Sequence, residues 1–427
     1  MAKKFVVTLL GKSVRKIAQL RGGSGSALPG LFVETIDKNF IKDTLASLPH
    51  GVAIISGTNG KTTTTKMVVE LLERQGLSVF TNKTGSNFTR GVAAALLGEI
   101  DMNGKLQADI AVLELDEAHA VHFVKSIKPR YCLLLNVMRD QLDRFGEIDT
   151  TANMLRTIAE ATTDTVVINR DDPRLSSELF RSSITADIVT YGSSQSVKHA
   201  FPSDDVMRAE KITAATESFS RNDTELVDFE GSTARISFGD QQYETTLKIG
   251  GIYNVINAVG AVALTRSIMT ERLDAALMMQ SLSMVTPAFG RGETLIINDF
   301  PCELVLVKNP SGFRLALQSF TPDGYTTMIA INDNYADGRD MSWLWDVNFE
   351  SLRDNGVAMV TGMRATDMAL RLKYDLVDVD SVREDVSGAL DSFLAEQPGP
   401  RRIYCTYTAM LELRRLLSKK TTVEKVR

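Results

Sequence analysis

The sequence predicts an α/β protein in which parallel sheets are covered by helices. Three observations predict it. Short, mainly apolar runs alternate with longer stretches of helical spacing. Most of those runs lack an in/out polar alternation, as strands buried on both faces should. The rhythm occurs twice, from about residue 51 and again from about residue 300, with a different pattern between.

Residues 1–48 read as a preamble, a basic amphipathic stretch followed by the Gly/Ser loop Arg21 to Gly30. A central unit spans 49–298. It opens with a buried strand at Val52–Ser56 and a helix at Lys61–Glu73. Then come strand Ser78–Thr81, helix Gly91–Ile100, strand Ile110–Leu115, helix Ala118–Ser126 and strand Tyr131–Asn136. Residues from about 190 to 248 are rich in Ser, Asp and Thr, with alternating runs such as Thr233–Phe238, and read as a small antiparallel β insertion. Helical spacing resumes at Asn254–Ser267. The last unit, 299–427, is Rossmann-like, with strands at Met328–Ile331, Ala358–Thr361 and Ile403–Thr406. Its helices are expected at Met363–Leu372, Val382–Glu396 and Ala409–Leu417.

Composition excludes several function classes. The 427 residues carry 48 Lys plus Arg against 53 Asp plus Glu, a net charge of −5, so there is no basic footprint for nucleic acid. Hydrophobic residues at 44% and charged ones at 24% describe a globular protein, not a disordered one. The three cysteines, Cys132, Cys302 and Cys405, stand far apart with no C-x-x-C pair, which excludes a disulfide scaffold and a four-thiolate zinc ribbon. No apolar run approaches membrane-spanning length and no cleavage signal follows the basic start, so a cytoplasmic location is expected. The basic preamble (Lys3, Lys4, Lys12, Arg15, Lys16, Arg21) leaves two readings open, peripheral contact with the membrane's inner face or a solvated surface.

The strongest local signal is Ser56-Gly57-Thr58-Asn59-Gly60-Lys61-Thr62-Thr63 between a strand and a helix. Glycines let backbone N–H groups approach phosphate oxygens at a helix N-terminus. Lys61 is expected at the β/γ-phosphates and the Thr62 hydroxyl on Mg²⁺. Ile55 stands where the longer phosphate-loop pattern has its first Gly, so this is a shortened variant. Glu114, ending an apolar strand, is expected as a second Mg²⁺ ligand, because ligands bind at the carboxyl ends of parallel strands. Asp116 and Glu117 suit a solvated strand-end role better. His119 and His122, three apart on the next helix, lack a third clustered ligand and are expected on the surface or in helix packing.

These segments resemble the Mur ligases, the ATP-dependent amide-forming enzymes of peptidoglycan synthesis. Gly57–Thr63 resembles their phosphate loop and Glu114 their Mg²⁺ glutamate. Asn136–Gly146 is similar to their Asn/Asp-His-Leu-Asp segment, and Asn169-Arg-Asp-Asp-Pro173 to their Asn-x-Asp-Asp motif. Gly251-Ile-Tyr-Asn254 with Asn257 resembles the segment whose first Asn contacts adenine, and Gly290-Arg291-x-Glu293 the stretch leading to the last domain. The resemblance implies ATP binding by Gly57, Thr58, Asn59, Gly60, Lys61, Thr62, Thr63, Asn254 and Arg291. Two departures narrow it. Gln141 stands where most Mur ligases have a metal-binding His, and no lysine between Lys128 and Lys198 offers a carbamoylation site. A second metal site is therefore differently built or missing.

The C-terminal third is more specific. Lys308-Asn-Pro-Ser-Gly312, the string Asn332 to Asp346, Arg364 to Tyr374 and Thr406 to Met410 together resemble the MurT family, as does Thr81 to Asn87. MurT proteins are the synthetase subunits of heterodimeric MurT–GatD lipid II isoglutaminyl synthases. The resemblance implies that ATP phosphorylates the D-glutamate α-carboxylate of the lipid II stem peptide and that ammonia converts the acyl phosphate to D-isoglutamine. It implies a separate GatD-type glutaminase subunit, since none of the three cysteines sits in a Gly-x-Cys-x-Gly elbow. It also implies that an aspartate of this domain completes the partner's Cys–His pair. Asp346 is favoured, Asp340 next, with Asp337 in the same string. Several MurT proteins carry a zinc ribbon in the middle domain; the 190–248 stretch here has no cysteine, so zinc is not expected. The alternative is a Mur-type or folylpolyglutamate-synthase-like amino acid ligase. A different class is a non-catalytic ATP-binding scaffold that only docks a glutaminase.

Overall fold

The computed structural model describes residues 8–16, 27–82, 89–139, 148–203, 220–286, 291–395, 398–421 and 423. The side chains of 27, 28, 291 and 292 fall outside that description. The chain divides into two compact units. One comprises 1–137, 149–248 and 254–285, and the other 138–148, 249–253 and 286–427.

The first unit is built on a nine-stranded sheet of order β2-β3-β1-β4-β5-β6-β7-β8-β9. These are β1 Val52–Ser56, β2 Val79–Thr81, β3 Ile110–Glu114, β4 Tyr131–Leu134, β5 Thr165–Asn169, β6 Asp187–Ser193, β7 Thr224–Glu230, β8 Thr233–Phe238 and β9 Gln241–Thr246. The apolar runs Val-Ala-Ile-Ile, Ile-Ala-Val-Leu and Tyr-Cys-Leu-Leu are buried along their whole length, as strands covered on both faces must be. β1 lies between β3 and β4, paired parallel to each (Val52 beside Ala111, Ala53 beside Tyr131). Chain order therefore reverses around β1, and its carboxyl end is a topological switch point.

The β insertion is antiparallel in β7–β8–β9, but β7 pairs parallel with β6. It extends the core sheet instead of forming a separate one, a distinction that polar edge strands with alternating patterns do not reveal. The preamble is likewise part of the first unit. Its helices at 8–16 and Ala27–Ile36 lie against the helix Thr89–Glu99, so closely that a Cβ on Gly30 would sit 2.0 Å from the Arg90 carbonyl oxygen. Lys12 Nζ donates to the Ile100 carbonyl at 2.6 Å, and the Arg15 guanidinium lies over Gly98. Lys3, Lys4 and Arg21 lie outside the described residues. Among the described residues one helix, at Ile252–Met269 with its continuation, is long and apolar enough to cross a membrane; it is largely buried in the protein core.

The second unit carries a six-stranded sheet of order β10-β11-β15-β12-β13-β14. Its strands are β10 Arg291–Ile297, β11 Phe300–Leu306, β12 Thr326–Ala330, β13 Val357–Thr361, β14 Val379–Arg383 and β15 Arg401–Cys405. β10 and β11 form a hairpin turning at Asn298 and Asp299, both at positive φ, which Asn and Asp tolerate best. The hairpin belongs to this unit, whose last stretch includes the residues from Thr286. β14 occupies residues expected to begin the helix at Val382; it is an exposed edge strand without an apolar run, and the helix starts at Val386. Trp343 is buried against Phe313, with ring centroids 6.4 Å apart.

Candidate active site

β1 ends at Ser56, whose hydroxyl donates to the Leu115 carbonyl at 2.9 Å. The chain then turns through Gly57 (φ +131) and Gly60 (φ +91) into the helix Lys61–Arg74. Both glycines are required. A Cβ on Gly57 would lie 3.0 Å from Asn136 N, and one on Gly60 would lie 2.7 Å from Asn257 Nδ2. The loop thus ends at a helix N-terminus, whose field favours an anion.

Lys61 is almost wholly buried. Its Nζ donates to the carbonyls of Gly57 (2.5 Å) and Thr58 (3.3 Å) and lies 3.4 Å from both carboxylate oxygens of Glu117. Glu117 is therefore a buried partner of the loop lysine, which corrects the surface role expected of it. It opens the helix Glu117–Ser126, and only its spacing of three from Glu114 hints at a shared locus. Thr62 Oγ1 donates to Glu114 Oε1 at 2.9 Å. Glu114 is fixed through its backbone by Asn82, whose Nδ2 donates to its carbonyl at 2.8 Å and whose Oδ1 accepts its N–H at 3.0 Å. Two hard oxygen donors converge at this point, the donor set Mg²⁺ takes. Thr63 is buried behind them.

Among the described residues, no group of three or more His, Cys, Asp or Glu side chains forms a further metal site. His119 is half-buried and His122 exposed. Asn257 sits against Gly60, and Asn254, half-buried, lies one turn earlier on the same helix. Arg291 opens β10, its side chain outside the description; Gln141 and Gly290 lie outside the described residues altogether.

The three aspartates of the C-terminal string have different surroundings. Asp337 is buried and accepts Thr408 N–H at 2.7 Å and Thr408 Oγ1 at 2.5 Å. Burial pushes its carboxyl up, against the pull of those bonds. Asp340 accepts Ser342 N–H at 2.9 Å, and Ser342's hydroxyl and N–H hold its carboxyl below the usual range. Asp346 is exposed at the end of a 3₁₀ turn, Ser342–Asp346, its backbone carbonyl accepting from Arg314 Nη2. Next to it Trp345, 49% exposed, meets Tyr374 edge-on with centroids 5.1 Å apart.

Residues 55–265 match the family model of the Mur ligase middle domain, and residues 306–410 that of the MurT ligase C-terminal domain. Over the whole chain and 99% of the relative, the sequence is 32% identical to the lipid II isoglutaminyl synthase (glutamine-hydrolyzing) subunit MurT of Streptococcus pneumoniae. The chain belongs to the MurT family of ligases. The MurT subunit of Staphylococcus aureus strain COL is 28% identical over 90% of both chains. Solved structures share the chain's fold. MurF of Acinetobacter baumannii superimposes with a TM-score of 0.67 at 17% identity, covering 93% of this chain and 81% of that one. Folylpolyglutamate synthase of Mycobacterium tuberculosis, complexed with ADP and AMPPCP, gives 0.60 at 16% identity, covering 89% and 94%.

Proposed function

We propose that this MurT-family chain is the ATP-using subunit of a lipid II isoglutaminyl synthase, amidating the D-glutamate α-carboxylate of the stem peptide. The observation that supports the reading is full-length similarity to MurT subunits together with Lys61, Thr62 and Glu114 gathered at the glycine loop that follows β1. A carboxylate oxygen of the substrate attacks the γ-phosphorus of ATP, ADP leaves, and ammonia then displaces phosphate from the acyl phosphate, losing a proton.

In that sequence Gly57, Thr58, Asn59, Gly60 and Thr63 shape the backbone cradle, and Lys61 faces the β/γ-phosphates. Asn254 serves the adenine, and Arg291 also serves the nucleotide. Thr62 and Glu114 would hold Mg²⁺, which when bound offsets charge on the transferring phosphoryl group. Ammonia is supplied by a GatD-type glutaminase in a heterodimer, and Asp346 completes that partner's triad by orienting its histidine. Exposure of Asp346, against the burial of Asp337, supports that choice. The lipid-linked substrate places the work at the cytoplasmic face of the membrane.

Copurifying the chain with its neighbouring glutaminase and measuring ATP-dependent amidation of lipid II with glutamine tests the reading. Amidated lipid II and ADP are expected in equal amounts. ADP release with an amino acid acceptor and no partner would instead establish a Mur-type or folylpolyglutamate-like ligase.

A further inference from the structure

The phosphate loop does not hold itself. It rests on the extension of β4, residues Leu135–Val137, and Asn136 grips it at three points. The Asn136 carbonyl accepts Thr58 N–H at 3.0 Å, its Oδ1 accepts Asn59 N–H at 2.9 Å, and its Nδ2 donates to the Asn59 carbonyl at 3.0 Å. Such a grip fixes the loop only if Asn136 is itself fixed. The residues on either side of it are held by the segment Asn169-Arg-Asp-Asp172. Asn169 Nδ2 donates to the Leu135 carbonyl at 3.1 Å, joined there by the Tyr191 hydroxyl at 3.2 Å. Val137 N–H donates to Asp172 Oδ2 at 2.6 Å.

Asp172 is buried, and both of its oxygens are used. Oδ1 accepts the N–H groups of Arg174 (2.9 Å) and Leu175 (3.1 Å), closing its own turn, while Oδ2 crosses to Val137. The adjacent Asp171 faces elsewhere, accepting Ser193 N–H at 2.6 Å and Ser193 Oγ at 2.8 Å. The two carboxylates of the motif therefore do different work: Asp171 ties down β6, and Asp172 ties down the support of the loop. Only a carboxylate offers acceptors in both directions; an amide at 172 must turn an NH₂ toward one set of N–H groups.

We propose that Asp172 and Asn169 are positioning residues of the nucleotide site, clamping Leu135 and Val137 so that Asn136 holds Thr58 and Asn59 in the shape that receives phosphate. The proposal rests on reading Gly57–Thr63 as the ATP loop. It gives the Asn-x-Asp-Asp motif a role at the phosphate loop, although the motif sits on a different strand.

The test is a double-mutant cycle on the full chain with its glutaminase partner, reading the dissociation constant of ATP and the KM/kcat split of amidation. Asp172→Asn is expected to weaken ATP about tenfold, appearing in KM more than in kcat, because a short charge-assisted bond becomes a mismatch. Asn136→Ala is expected to weaken ATP to a similar degree. The double variant should bind no worse than Asn136→Ala alone, since both changes break one chain of contacts. Additive losses, or unchanged ATP binding in a folded Asp172→Asn, would overturn the proposal. Should Asp172→Asn fail to fold, Asn169→Ala, which leaves the Tyr191 bond to Leu135, replaces it in the same cycle, with a weakening of a few-fold that disappears in the Asn136→Ala background. Absence of ATP binding by the unaltered chain would overturn the reading of the loop itself.

Discussion

In the proposed site, Glu117 and the phosphates of ATP would compete for Lys61, and Glu117→Gln measures that competition. At 3.4 Å the Lys61–Glu117 pair is worth about 5 kcal/mol in gross Coulomb energy at an effective dielectric of about 20. Desolvation of two buried charges offsets much of that. Glutamine keeps the size and an acceptor oxygen, and the carbonyls of Gly57 and Thr58 still receive Lys61. The net loss to the ATP-free protein should therefore be about 2 kcal/mol, or roughly 4–8 °C in melting of the first unit. With ATP bound, the phosphates supply the missing negative charge and the loss should nearly vanish. By the thermodynamic cycle, Glu117→Gln then binds ATP about thirtyfold tighter. Melting curves with and without saturating MgATP, and titration calorimetry, read both sides of the cycle. Equal destabilisation in both states with unchanged affinity would make Glu117 a packing residue only. Weaker ATP binding in the variant would refute the competition outright.

Gly60→Ala places a Cβ 2.7 Å from Asn257 Nδ2 at a φ of +91, and should cost about 3 kcal/mol in chemical denaturation together with most ATP affinity. Asp346→Asn should abolish glutamine-dependent amidation in the reconstituted complex while leaving amidation from added ammonium salts; full glutamine-dependent activity would reject the assignment. Asp172 makes a pH-dependent contribution of known sign. Burial pushes its carboxyl from 3.8 to about 6, despite the Val137, Leu175 and Arg174 N–H bonds. Between those values the native state holds the extra proton, so stability falls by about 3 kcal/mol as pH rises through about 6. The wild-type stability minus that of Asp172→Asn should fall by most of that amount between denaturation at pH 4 and at pH 7.5.

How much of this was legible in the sequence depends on whether a residue's role is local. The buried strands announce themselves, because a strand covered on both faces must be apolar at every position, as Val52–Ile55 and Ile110–Leu113 are. The shortened glycine loop is equally legible, since its positive-φ positions exclude most other residues. The edge strand β14 and the hairpin β10–β11 are not legible in the same way, their stability coming from neighbours rather than from a buried apolar run. The burial of Glu117 is hidden in the sequence for a similar reason. A glutamate at a helix start is usually solvated, and only the tertiary path of β3 alongside β1 brings it to Lys61. Asp172 shows the same limit, because nothing local to Asn169–Pro173 points at a carbonyl and an N–H on β4's extension.

The source of nitrogen in the proposed reaction follows from where the thiols lie. Cys132 is in β4, Cys302 in β11 and Cys405 in β15, each at most 1% exposed. Burial pushes the Cys132 and Cys302 thiols up to about 12 and the Cys405 thiol higher still. At neutral pH a thiol at about 12 is ionised at roughly one part in a hundred thousand, whereas a glutaminase nucleophile needs a thiolate near an exposed base. Burial and the raised thiol pKa both set all three apart from an activated glutaminase nucleophile. Asp346 has the opposite placement: a carboxylate at the surface of a turn, its backbone carbonyl held by Arg314 and the next carbonyl by Arg371. Thiols withdrawn into the sheets and an aspartate exposed on a turn are what a chain needs if it activates an acid itself and leaves ammonia release to a neighbour.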